Sequence, residues 1–164
     1  MNGQAGDPRV IAALQEIGID SDVCGPTLNT VASARAVETI GIALAGRLRA
    51  ARPTGVAIWD SMDEAVLAHV VARELGVTAT RAHESSGVVS FSPGPEPGAR
   101  LAVIATLWKD PQRLEVLLSM AAHRQATVVA VSAVVSSPAL DDVRACPVMT
   151  LVTPDSVFMP RYRG

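Results

Sequence analysis

Two short segments of this chain hold most of the side chains that could do chemistry. Asp60-Ser61-Met62-Asp63-Glu64 puts three carboxylates within five residues, and Trp108-Lys109-Asp110 sets an aromatic ring, the chain's one lysine and an acid side by side. The N–H groups of a helix-opening turn point outward and suit an anion. Three carboxylates in the first segment would repel an anion and would suit a cation or an amine instead. In the second, a tryptophan and a lysine can stack on and pair with a planar anionic molecule. Trp59 ends the run before Asp60 in the same manner.

Both segments also have a reading that needs no ligand. Ser61 or Asp60 can cap a helix whose first turn holds Asp63 and Glu64 against the macrodipole. Asp110 before Pro111 is a helix-start signal of the same kind, and a tryptophan at a strand end covers a core edge or a subunit contact. His69, His83 and His123 fall in separate elements without HxH or HExxH spacing, so no metal site is expected. Ser85-Ser86-Gly87 is no nucleophile elbow, because GxSxG is absent. Arg81, His83 and Glu84 lie at a strand end bordering the same region, where solvation explains them as well. No catalytic residue is assigned.

The elements that position these segments are written in the apolar pattern. Asp7-Pro8 opens a short helix with Val10, Ile11, Leu14 and Ile17 on one face before Gly18. Ile19 to Thr30, rich in Asp, Gly, Pro and Asn, reads as an irregular connection. From Val31, the spacing of Val37, Ile40, Leu44 and Leu48 predicts a helix ending near Pro53. Gly55 to Trp59 reads as the first central strand, followed by a helix that stops at Gly76. Val77 to Ala82 and Gly87 to Phe91 read as strands, and the Pro- and Gly-rich stretch from Ser92 to Arg100 as an irregular connector. Leu101 to Thr106, Asp110 to Ala122 and Ala126 to Val135 form a strand, helix, strand unit with no glycine in its Leu107 to Pro111 turn. Pro138 to Arg144 predicts a short helical turn, Val148 to Val152 a last strand, and Thr153 to Gly164 a surface or dimer-contacting tail.

Strands alternating with helices predict an α/β fold with a largely parallel sheet and right-handed crossovers. In such sheets ligands bind beyond the carboxyl ends of the strands, where Asp60 to Glu64 and Leu107 to Asp110 fall. A length of 164 residues suits one domain with a full core, 1–164. With 49% hydrophobic and only 3% aromatic residues, that core must be built from Ala, Val, Leu and Ile, as in a buried parallel sheet. A net charge of −2 without a Lys/Arg cluster disfavours nucleic acid. Cys24 and Cys146 are far apart and lack CxxC spacing, so both are expected to be plain thiols. The start shows no basic segment before an apolar run, and no 18-residue apolar stretch occurs, so a cytoplasmic protein without a membrane partner is expected.

The pattern resembles the type I phosphoribosyltransferases, and most of all their orotate phosphoribosyltransferase branch, over roughly Ala34 to Tyr162. Ala36 to Leu48 resembles the helix before the family's first core strand, and Gly55 to Gly76 its strand, pyrophosphate loop and helix ending in Leu-Gly. Gly98-Ala99-Arg100-Leu101-Ala102-Val103-Ile104 is similar to the Gly-Lys-Arg-Val-Leu-Val-Val lead into the ribose-phosphate motif. Ala126 to Val135 resembles the strand after it, and the closing strand with its Pro160-Arg161-Tyr162 tail is also similar to the family's. The resemblance implies a three-layer phosphoribosyltransferase-like fold, a mainly parallel central sheet flanked by helices, and a homodimer.

The chemistry departs from that family. Its two adjacent acids, which hold ribose hydroxyls, are matched by Ala105 and Thr106. Its Thr-Thr-Gly-Gly loop, which wraps a 5′-phosphate, is matched by Lys109, Asp110, Pro111, Gln112 and Arg113. Proline removes an N–H, Asp110 adds repulsion, and a loop without glycine cannot readily close on a phosphate. The pyrophosphate loop is Asp60 to Glu64, and the catalytic flap is shortened to Ser92 to Gly98. The ligand-binding residues expected are therefore Asp60, Ser61, Met62, Asp63, Thr106, Trp108, Lys109, Asp110 and Arg113. The first reading is a catalytically degenerate module, ligand-binding or regulatory, for a nucleotide- or nucleobase-like or planar anionic molecule, without a cofactor. An active phosphoribosyltransferase with magnesium, using Lys109 and Arg113 in place of backbone donors, is the alternative, and a structural partner of an active paralogue the third reading.

Overall fold

Residues 6–22 and 25–158 are described by the computed structural model. Helix α1 (Pro8–Ile17) starts where Asp7 accepts the Arg9 N–H at 2.8 Å, and it buries Val10, Ala13, Leu14 and Ile17. Helix α2 (Ala34–Leu48) starts three residues later than Val31, because Ser33 is its cap and accepts the Ala36 N–H at 3.2 Å. It buries Val37, Ile40, Leu44 and Leu48 and runs on into a 3-10 turn, Arg49–Ala51.

Between these helices the structure corrects the expected irregular connection. Ile19–Asp22 (β1) and Gly25–Leu28 (β2) pair antiparallel, Ile19 against Leu28 and Asp22 against Gly25. The ribbon is held by backbone hydrogen bonds, and its polar sequence carries no apolar alternation to announce a strand.

The main sheet has six strands in the order β5-β4-β3-β6-β7-β8, and only β5 runs antiparallel. These are β3 (Gly55–Trp59), β4 (Thr78–Ser85), β5 (Val88–Ser92), β6 (Arg100–Leu107), β7 (Thr127–Val135) and β8 (Val148–Val152). Helix α3 (Met62–Leu75) links β3 to β4 and ends at Gly76, whose φ of 69° is the left-handed turn that glycine adopts without strain. Helix α4 (Pro111–His123) links β6 to β7, and α5 (Pro154–Phe158) follows β8. Ser86 and Gly87, at φ of 53° and 77°, form the two-residue turn between β4 and β5. The expected turn over Pro138 to Arg144 is shorter, a 3-10 helix at Pro138–Leu140. Cys24 and the Pro160-Arg161-Tyr162 tail lie outside the described residues, and Cys146 is a half-buried free thiol.

Strand residues alternate between two cores. Val56, Ile58, Ala102 and Ile104 face α1, α2 and α3, whereas Ala57, Leu101, Val103 and Ala105 face α4 with Trp108, Leu114 and Leu117. From β3 the chain winds toward one edge of the sheet and from β6 toward the other. The β3/β6 boundary is therefore the topological switch point, where a crevice forms at the carboxyl ends of the strands.

Candidate functional site

That crevice exists. The β3–β6 ladder covers only Gly55 to Ala57 against Leu101 to Val103, and beyond it the strands part. A cleft of about 370 Å3 opens there, walled by the turns after β3 and β6, the start of α4, and Thr27 and Leu28 of the hairpin. It brings together Asp60, Ser61, Asp63, Thr106, Trp108, Lys109, Asp110 and Arg113. Met62 is not among the lining residues and is 71% exposed to solvent.

Each of these side chains is already committed. Asp60 pairs with Arg81 at 3.2 Å. Ser61 caps α3 by accepting the Glu64 N–H at 3.3 Å. Asp63 Oδ1 accepts both the N–H and the hydroxyl of Thr30 at 3.1 Å, tying the chain just after the hairpin to the start of α3. Asp110 caps α4 by accepting the Gln112 N–H at 2.9 Å, as the Asp-Pro signal predicts. The Arg113 guanidinium lies over the Trp59 ring, 5.5 Å from its centroid, while the Trp59 indole donates to the Arg113 carbonyl at 2.9 Å.

Trp108 differs from its expected role as an aromatic face. It is only 4% exposed, packs with the α4 core, and donates its indole N–H to the Ser132 carbonyl at 3.1 Å. Arg81, His83 and Glu84 do not line the cleft; His83 instead shares a 3.2 Å hydrogen bond with Ser90.

The residue that sequence reasoning passes over is Glu64. Its position three after Ser61 fits a capping box, in which its carboxylate would return to the Ser61 N–H. Instead it reaches across to β6 and accepts the Thr106 N–H with both oxygens, at 3.0 and 2.8 Å, and the Thr106 hydroxyl at 2.7 Å. Thr106 lies past the β3–β6 ladder, so Glu64 takes the N–H that the strand pairing leaves over. Alternation puts Thr106 on the α3 face with Ala102 and Ile104. A buried polar residue there was the one available signal that a partner had to arrive from α3.

Burial raises the Glu64 carboxyl to about 7. The two kinds of hydrogen bond from Thr106 restrain the rise, Asp63 adds to it, and Lys109 opposes it. Among the described residues, no three or more His, Cys, Asp or Glu side chains are placed to hold a metal ion. Asp60, Asp63 and Glu64 each face a different partner, Arg81, Thr30 and Thr106.

The fold is shared with phosphoribosyltransferases of known structure. Orotate phosphoribosyltransferase from Mycobacterium tuberculosis H37Rv matches at a TM-score of 0.74 and 14% identity, over 94% of this chain and 93% of that one. A phosphoribosyltransferase from Corynebacterium diphtheriae matches at 0.73 and 17%, over 92% and 96% of the two chains. Adenine phosphoribosyltransferase from Trypanosoma brucei, solved with AMP, pyrophosphate and ribose-5-phosphate, matches at 0.71 and 13%, over 98% and 88%. No family model and no curated protein matches the sequence. At these identities the likeness is one of fold. No helix among the described residues is long and apolar enough to cross a membrane.

Proposed function

We propose that this chain is a phosphoribosyltransferase-fold module that binds a nucleotide- or nucleobase-like molecule in the switch-point cleft and does not transfer phosphoribosyl groups. One observation carries the reading. At the start of α4, where the resemblance puts a 5′-phosphate loop, the chain supplies its own anion: Asp110 accepts the Gln112 N–H, and the neighbouring Pro111 has no N–H to give. A phosphate brought to that end of the helix meets a carboxylate instead of a ring of donors.

Lys109 and Arg113 favour the second reading, an active transferase whose cations replace those donors, since both line the cleft. Against it stands the placement of Arg113, which lies on the Trp59 ring.

A thermal-shift panel separates the two. Phosphoribosyl pyrophosphate with magnesium is expected to leave the melting temperature unchanged, while at least one nucleoside, nucleobase or nucleotide raises it. A large stabilisation by phosphoribosyl pyrophosphate with magnesium, joined by release of pyrophosphate on adding a base, would establish the transferase reading instead.

A further inference from the structure

We propose that the end of the sheet opposite the cleft docks a segment of a partner protein that is acidic and carries an apolar anchor. This surface is separate from the cleft and does not depend on what the cleft binds.

Every parallel crossover enters its strand at that end, and three neighbouring strands are entered through turns that bear arginine. Arg47 and Arg49 close α2, Arg52 leads into β3, Arg100 opens β6, and Arg124 ends α4 before β7. All five are exposed. Backbone hydrogen bonds stitch the turns side by side: the Thr54 N–H donates to the Arg100 carbonyl, that of Gly98 to Gln125 and that of Thr127 to Ala99, each at 2.8 Å. Arginines far apart in the sequence thus meet in one stripe, which no local run of basic residues announces.

The charge of the stripe is not balanced within it. Over residues 47–54, 96–100 and 124–127 the only acid is Glu96. Among the described residues, the ion pairs of arginine belong to Arg35, Arg73 and Arg81. Arg100 instead donates to the carbonyls of Arg52 and Ala51, at 3.0 and 2.7 Å, and Arg49 to the carbonyl of Glu74 at 3.0 Å. Those acceptors are neutral. They order the guanidinium groups without cancelling their charge, which lowers the entropy lost when a carboxylate arrives.

A hollow of about 410 Å3 adjoins the stripe, with Arg100 as the one charged residue of its lining. It forms because β8 starts late: its pairing with β7 begins at Val131 and Val148, so Thr127 to Ala130 run past the end of β8. Val128, Val129, Pro147 and Met149 wall the space left there.

Charge and hollow together choose the partner. Neither the three turns nor the lining contains Trp, Tyr or Phe, so nucleic-acid bases find no ring to stack on. Aliphatic walls take a leucine-like anchor, and the arginines beside them pair with acids that flank it.

The test is fluorescence anisotropy of the whole chain with three labelled probes at about 50 and 200 mM salt. The probes are a glutamate decapeptide with two central leucines, decaglutamate, and a ten-nucleotide oligouridine. At the lower salt the leucine peptide is expected to bind about fivefold more tightly than either other probe, and at the higher salt to weaken about tenfold. Arg52→Gln/Arg124→Gln should weaken it at least about fivefold. Arg35→Gln/Arg81→Gln changes the net charge equally but lies away from the stripe, and should leave binding within about twofold of the native chain. Melting temperatures check that the variants fold; Arg47→Gln, on the exposed last turn of α2, replaces a double variant that does not, with an expected loss of about twofold. Equal losses in the two double variants overturn the proposal, since net charge alone would account for them. So do tighter binding of the oligouridine, equal binding of the two peptides, or no binding of the leucine peptide at the lower salt.

Discussion

Glu64 is where one residue's environment has consequences for the whole folding equilibrium. Its folded carboxyl titrates near 7 against an ordinary value of 4.5, so the folded state binds the proton more tightly than the unfolded chain. The resulting stability is fully present below pH 4.5 and is lost as pH rises through 7. The loss amounts to roughly 3 kcal/mol between those limits. Glu64→Gln keeps an acceptor for Thr106 and has no proton to lose. Urea unfolding at pH 5, 6, 7 and 8 should therefore show a flatter dependence in the variant; parallel curves would mean that Glu64 does not titrate in this window. Restoring the family's acids is a second test at this scale. Ala105 is 4% exposed in the core with Leu114 and Trp108, and Thr106 already faces Glu64. The double variant Ala105→Glu/Thr106→Asp buries one charge and sets another beside a carboxylate, at an expected loss on the order of 3 kcal/mol or more. It should gain no transferase activity; measurable turnover by a folded double variant would sink the claim that the missing phosphate loop is limiting.

The elements were legible in proportion to how local their causes are. Asp7, Ser61 and Asp110 announce helix starts because a cap and its N–H partner lie two or three residues apart. The central strands are legible because both of their faces are buried, which writes near-continuous apolar runs. The β1–β2 hairpin was not legible, because its sequence is polar and carries no apolar alternation. Nor was the Glu64–Thr106 contact, whose partners are 42 residues apart and meet only once α3 is laid on the sheet. Packing between helices is a further non-local property, and two glycines of α2 expose it. A Cβ on Gly41 would sit 2.5 Å from Val70 Cγ1 of α3, while one on Gly46 meets nothing within 4 Å. Gly46→Ala should stabilise the chain by about 0.5–1 kcal/mol through helix propensity. Gly41→Ala should destabilise it by about 1–3 kcal/mol despite the same propensity gain, and Val70→Ala in the same chain should recover part of that loss. Thermal denaturation of the four proteins checks this; equal gains at both glycines would show that α2 and α3 are not in close contact.

At the scale of the molecule, the cleft is also a seam. Two half-sheets wind outward from β3 and β6 and are joined by a ladder confined to Gly55–Ala57 and Leu101–Val103. By contrast, β6 and β7 pair from Arg100 and Thr127 to Leu107 and Val135, with one irregularity at Leu101/Ala102. The short ladder creates the crevice, and Glu64 then bridges it through the Thr106 N–H. Sequence patterning places the strands and the right-handed crossovers place the switch point, but where the ladder stops is a matter of tertiary geometry that no local spacing encodes. Local opening follows the weakest cooperative boundary, so hydrogen exchange should distinguish the two sides of β6. The Thr106 amide should exchange well before the amides of Val131 and Ala133, and faster still in Glu64→Gln, where one of its two acceptor oxygens is gone. A ligand bound in the cleft should slow Thr106 and the start of α3 together while leaving β7 unchanged. Exchange of Thr106 as slow as that of β7 in the free protein would mean that the two half-sheets open as one unit, and that the crevice is not a mechanical boundary.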